Sequence, residues 1–340
     1  MILCHLCSDG PLALRHLLFA SKGLYYAAVN DAILWTMISF DYQFFKHFWD
    51  RSEQAKSFTT QCLRWSSSLP LCIRINGDEF NRFLVLGSLR ALNNPKYRGF
   101  ERCTSLTWYH RRWDYLKVEE IIAMLPKELP SLRHLSLTYV EDPRNGTLFP
   151  NCPVLEKLEM SEYRQHSYFS WTKQTQLAHV TTLSFGNDYN WATCDINTLS
   201  LFPALRHLTL FTTHSSQPGR LYSSTYAPLF QHLQTLRVRG QLPLNLFTKL
   251  EAPALKALHI EANRSGQIAT GALRDSLTCL CLHLYALLPE SVTRTEPQWA
   301  SDLSEFVHKC TRIETLFVSK WMEEECITFL DGSNVVLHVL

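Results

Sequence analysis

One eight-residue phrase keeps returning along this chain. It reads PSLRHLSL at 130–137, PVLEKLEM at 153–160, PALRHLTL at 203–210 and PALKALHI at 253–260. With the first apolar residue of each phrase as a marker, looser copies extend the series to Leu132, Leu155, Val180, Leu205, Leu233, Leu255, Leu277 and Ile313. Each marker is followed at +3 and +5 by further apolar residues, from Leu135 and Leu137 in the first copy to Leu316 and Val318 in the last. A +3/+5 pair is the alternation of a short strand with one face inward, and the marker folds in from the preceding turn. Repetition every 20 to 30 residues predicts a stack of such units, one parallel strand each.

The phrase resembles the leucine-rich repeat, whose strand reads L-x-x-L-x-L and then turns. It lacks that family's steady asparagine after the third apolar residue, where Thr138, Ser161, Gly186, Phe211 and Arg239 stand instead. The resemblance implies an α/β fold, a leucine-rich-repeat-like solenoid forming an irregular horseshoe with parallel strands. Pro130, Pro153, Pro203 and Pro253 break the backbone before the strand. The competing reading is an ordinary α/β domain with several leucine-rich strands.

At 340 residues and 46% apolar, the chain can bury a large core. A net charge of +2 argues against a nucleic-acid partner. The cluster His110, Arg111, Arg112 between Trp108 and Trp113 reads as a turn with snorkelling side chains. No basic opening and apolar run suggests a signal peptide, and no stretch reaches the length of a membrane span. Eleven cysteines are scattered, several in core-like slots, among them Cys279 and Cys281 flanking a +3 leucine. Free thiols fit a reducing compartment, so a cytoplasmic or nuclear location is expected and the sequons at Asn145 and Asn263 are expected to stay bare.

The first 40 residues are of another kind. Apolar residues recur at helical spacing, with breaks at Ser8-Asp9-Gly10-Pro11 and Asn30-Asp31, giving helices near 11–19 and 22–29 and an aromatic end at Trp35. Ile2, Leu3 and Leu6, then Pro11-Leu12, Leu17, Ala20-Ser21-Lys22, Tyr25 and Leu34-Trp35 resemble an F-box, the adaptor-binding module of substrate receptors in Skp1-cullin ubiquitin ligases. That family opens with Leu-Pro before the pair matching Ile2-Leu3, so the module reads as shortened at its start. The resemblance implies that Ile2, Leu3, Leu6, Pro11, Leu12 and Leu14 contact a Skp1-like adaptor. The alternative is an N-terminal cap for the solenoid without a partner.

Gln61 to Ile75 resembles a stretch common in F-box proteins of mushroom-type (basidiomycete) fungi. It suggests a strand at 34–38, a helix at 42–63 and a second strand at 71–75. Further amphipathic segments at 80–91 and 119–125 and a strand at Leu106 and Trp108 complete the region. The expected domains are a partial F-box-like module at 1–40, a linking region with early repeats at 41–128, and a solenoid with a terminal strand at 129–340.

No catalytic constellation stands out. Cys4 and Cys7 lack a second pair at zinc spacing, and His134 and His207 lack the acidic companions a hydrolytic site requires. No enzyme activity, cofactor or metal is expected. The strand positions between the leucines project outward, so His134, Ser136, Lys157, Glu159, His207, Thr209, Arg237 and His259 form the expected substrate-binding surface. Its mixed small, polar and charged content fits a protein partner, with no nucleic acid and no membrane. The resemblance implies a non-catalytic substrate-recognition subunit of a Skp1-cullin-F-box ligase; the alternative is a repeat scaffold whose module binds no adaptor.

Overall fold

A computed structural model describes residues 21–40, 42–48, 51–76, 82–109, 123–138, 150–161, 177–187, 199, 202–212, 230–240, 251–262, 276–284, 307–308, 310–320, 323–330 and 333–340. The chain divides into two compact units, Met1–Gln176 and Leu177–Leu340. Each is a leucine-rich-repeat-like solenoid of parallel strands, and short helices precede the strands of the first.

The first unit opens with α1 (Lys22–Asn30), capped by the Ser21 hydroxyl, which accepts from the Leu24 amide at 3.1 Å. A 3-10 turn, Ala32–Trp35, follows. Then come β1 (Met37–Phe40), α2 (Tyr42–Phe48), α3 (Ser52–Trp65), β2 (Leu71–Asn76), α4 (Arg82–Leu92), β3 (Cys103–Tyr109), β4 (His134–Thr138) and β5 (Lys157–Ser161). Ala55, Thr59, Cys62 and Leu63 put a buried stripe on α3, while Val85, Ser88, Leu89 and Leu92 do the same for α4. These helices pack together as the long crossovers that parallel strands require. Phe40, Phe44, Phe48 and Phe58 form one aromatic cluster with centroids 4.9 to 6.3 Å apart.

Arg102 ties the crossover to the sheet. Its guanidinium donates to the Leu69 carbonyl at 3.0 Å, to the Ser66 hydroxyl at 3.2 Å and to the Ser67 carbonyl. Those acceptors follow the C-terminus of α3, where carbonyls lack helical partners and a cation is favourable.

The second unit contains β6 (Thr182–Asn187), β7 (His207–Thr212), β8 (Thr235–Arg239), β9 (Ala257–Ala262), β10 (Cys279–Leu284), β11 (Thr315–Val318), α5 (Glu323–Leu330) and β12 (Val336–Val339). Its strands pair in chain order, all in parallel. The inward positions align: Leu183, Leu208, Leu236, Leu258, Leu280 and Leu316 form one buried row, and Phe185, Leu210, Val238, Ile260, Leu282 and Val318 a second. Burying each such side chain contributes about 1.5–3 kcal/mol. Gly186 lies opposite Phe211, whose ring occupies the space a Cβ would need.

The turn before strands that carry the repeated phrase is built alike in both units. The amide of the first leucine donates to the carbonyl three residues back, as in Leu132 to Leu129, Leu155 to Cys152, Leu205 to Phe202 and Leu255 to Ala252, at 3.1 to 3.2 Å. That earlier residue is itself buried, and so are Leu177, Phe230 and Cys310 at the same position. The repeat thus has a fourth apolar position that the eight-residue phrase omits.

Several expectations shift. Residues 32–35 turn instead of starting a strand, because Asp31 Oδ1 accepts from the Ile33 amide at 3.2 Å and the Trp35 indole N–H donates to the Ala28 carbonyl at 2.7 Å. The strand therefore begins at Met37. The helix expected at 42–63 is two helices, since the Phe44, Phe48 and Phe58 rings meet only when α2 folds back on α3. Cys279 and Cys281 do not fill core slots, because strand alternation turns both to the half-exposed face. The strand at 71–75 and the strand through Leu106 and Trp108 form as expected, and the amphipathic segment expected at 80–91 forms a helix over 82–92. β12 extends the sheet beside β11, and its Val336 and Val339 remain exposed.

Candidate protein-binding faces

In both units the leucines point one way, and the residues between them form the opposite face. Strand register sets which of these residues are neighbours. In the first unit one row runs Met37, Cys72, Ser105, His134, Lys157, and the next Ser39, Arg74, Thr107, Ser136, Glu159.

His134 and Glu159 are diagonal neighbours on β4 and β5, and their side chains meet. His134 Nε2 lies 3.3 Å from Glu159 Oε2, and its Nδ1 lies 3.4 Å from the Ser105 hydroxyl, both within hydrogen-bond reach. Lys157 Nζ sits 2.6 Å from Glu159 Oε1. The His134 hydrogen bond holds the Glu159 carboxyl down at about 2, with help from Lys157 and against the opposing effect of burial. The expectation that His134 lacks an acidic companion is therefore corrected. The pairing joins residues 25 apart, which no local pattern reveals.

Ser105, His134 and Glu159 have the residue types of a hydrolytic triad, but the sheet that carries them supplies no oxyanion donor. Backbone amides of a sheet lie in its plane and are taken up by the ladder, so none points from the face toward a developing oxyanion. The chain of hydrogen bonds acts as a polar ladder that fixes three side chains on adjacent strands.

In the second unit the rows run Thr182, His207, Thr235, Ala257, Cys279, Thr315, Val336 and Ser184, Thr209, Arg237, His259, Cys281, Phe317, His338. Glu261, with its side chain only 13% exposed, pairs with Arg237 and, through Oε2 at 2.5 Å, with Arg239 Nε. Burial, then Arg237, lowers the His259 pKa, with Glu261 opposing. Burial raises the Cys279 and Cys281 thiols, keeping them protonated at neutral pH. Phe317 and His338 stack at 4.7 Å with their planes 17° apart.

The expected surface residues thus fall into two sets. His134, Ser136, Lys157 and Glu159 lie together in the first unit, and His207, Thr209, Arg237 and His259 line neighbouring strands in the second. Carrying the same alternation into β2 and β3 and one step further along β8 and β9 adds Arg74, Ser105, Thr107, Arg239 and Glu261. Ile2, Leu3, Leu6, Pro11, Leu12 and Leu14 lie outside the described residues, as do Cys4, Cys7 and the His110 cluster. Within the described part of that region, α1 buries only Ala28, while Leu24, Tyr25, Tyr26 and Ile33 are exposed.

Among the described residues no group of three or more His, Cys, Asp or Glu gathers to hold a metal. No described helix is long and apolar enough to cross a membrane. The chain matches no protein-family model, and no curated protein matches it.

Proposed function

We propose that this chain is a protein-interaction scaffold that recruits a partner through its outward sheet faces and serves as the non-catalytic substrate receptor of a Skp1-cullin-F-box ubiquitin ligase. The observation that carries the scaffold reading is the contrast between the rows of each strand. From β1 to β11 the inward positions of the leucine rows are apolar and buried, whereas the outward ones differ from repeat to repeat and are partly or fully exposed. Such a surface is held rigidly by the core beneath it and is free to vary, which suits recognition of one particular partner.

The ligase reading rests on the F-box-like residues from Ile2 to Trp35. It gains support from the exposed Leu24, Tyr25, Tyr26 and Ile33, since contiguous exposed apolar residues mark an interaction site. In this reading the module holds a Skp1-like adaptor, the faces hold a protein substrate, and a separate subunit makes and breaks the covalent bonds.

Co-expression with a Skp1-like adaptor tests it. A stable complex is expected, lost when Leu6→Asp and Leu12→Asp are combined and weakened by Tyr26→Asp. Failure to co-purify, both for this chain and for one extended upstream with a Leu-Pro turn, would overturn the ligase reading and leave the scaffold reading standing.

A further inference from the structure

We infer that the sheet face of the first unit docks an acidic segment of a protein partner, with an Asp or Glu carboxylate seated on Arg74. This deepens the scaffold reading and rests on it. Arg74 projects outward from β2, an interior strand flanked by β1 and β3, and it is exposed.

Its charge is treated differently from the others on the outward rows. Lys157 pairs with Glu159, which also accepts from His134. Arg237 and Arg239 both pair with Glu261. Among the described residues, Arg74 alone of these charged side chains has no ion-pair partner. Its neighbours in register are Ser39 and Thr107, neither of which can neutralise it.

The surroundings select what can approach. Ser39, Ser105, Thr107 and Ser136 are short, so the floor around the guanidinium is low and a chain can lie close to it. The planar fork of arginine matches a carboxylate through two parallel hydrogen bonds, and nearby hydroxyls can add donors. A bound segment can set its carboxylate on Arg74 and so neutralise it.

The test is selection from a random-peptide phage library on the full-length chain, followed by affinity measurement on the selected peptides. Enrichment of Asp or Glu is expected, with binding weakened about tenfold by Arg74→Gln, the worth of one charge-assisted pair. Arg74→Lys is expected to lose less, and Arg74→Glu to select basic peptides instead. The Arg74 side chain is exposed, and circular dichroism checks that each variant folds.

Equal affinity and composition for wild type and Arg74→Gln would overturn the inference. If Ser136→Trp, which raises bulk on the same face, abolishes binding while Arg74→Gln does not, the face binds a partner but not in this way. If neither matters, the face reading falls too. Peptides that bind only when phosphoserine replaces the acidic residue would also overturn it, assigning Arg74 to phosphate.

Discussion

The two sheet faces solve one electrostatic problem differently. Each gathers more cationic than anionic side chains along its outward rows. In the second unit Arg237 and Arg239 converge on the nearly buried Glu261, so the excess charge is shared and held close to the sheet. In the first unit Glu159 is taken by Lys157 and His134, leaving Arg74 three strands away with only Ser39 and Thr107 opposite it on the adjacent strands. A shared carboxylate stiffens a surface, whereas a separate cation keeps its electrostatic attraction for a partner.

Breaking the common framework should affect both units most. Leu135→Ala in the first and Leu258→Ala in the second are each expected to cost about 2–5 kcal/mol in chemical denaturation, because each opens a cavity in a fully buried row. A cost below 1 kcal/mol at either site would contradict the inward row there.

Gly186→Val sharpens the picture in the second unit alone. The new side chain has to displace the Phe211 ring, for an expected loss of about 1–3 kcal/mol in the same measurement. The paired substitution Gly186→Val with Phe211→Ala should recover part of that loss.

The charge arrangements separate next. Glu261→Gln leaves two arginines facing each other and is expected to cost about 1–2 kcal/mol, whereas Glu159→Gln, on a more open face, is expected to cost about 1 kcal/mol. Equal costs would erase the distinction between the faces.

The smallest effect is a dependence on pH. Because the folded state lowers the Glu159 pKa, its stabilising contribution is complete above the ordinary carboxylate value near 4.5 and declines as pH falls toward about 2. The difference in unfolding free energy between wild type and Glu159→Gln should therefore shrink across that interval and stay constant above it.

What could be read in the sequence follows from how far each signal reaches. The inward rows were legible because alternation is local: Leu135 and Leu137, or Leu258 and Ile260, identify a strand and its buried face without knowledge of its neighbours. The fourth apolar position, at Leu129, Cys152 and Phe202, is equally local, but the proline one residue after it marks a break, and a break before a strand does not reveal that the preceding side chain is buried. The pairing of His134 with Glu159 was not legible, since it depends on the register between two strands. Arg74 could be placed outward by alternation, yet its isolation emerges only once the acids of neighbouring strands are seen to be engaged elsewhere. Residues 32–38 misled for a local reason, because Leu34 and Trp35 look like strand residues until the Asp31 cap and the Trp35 indole bond turn the chain.

The central claim is that the outward faces hold a protein partner. Photo-crosslinking in cells, with a reactive phenylalanine analogue placed singly at Ser136 or Thr209 on the faces or at Arg133 or Arg206 on exposed turns before the strands, tests it most directly. The account expects one partner captured from Ser136, Thr209 or both and not from the turn positions. Capture of that partner only from the turns, with nothing held at either face, would contradict it.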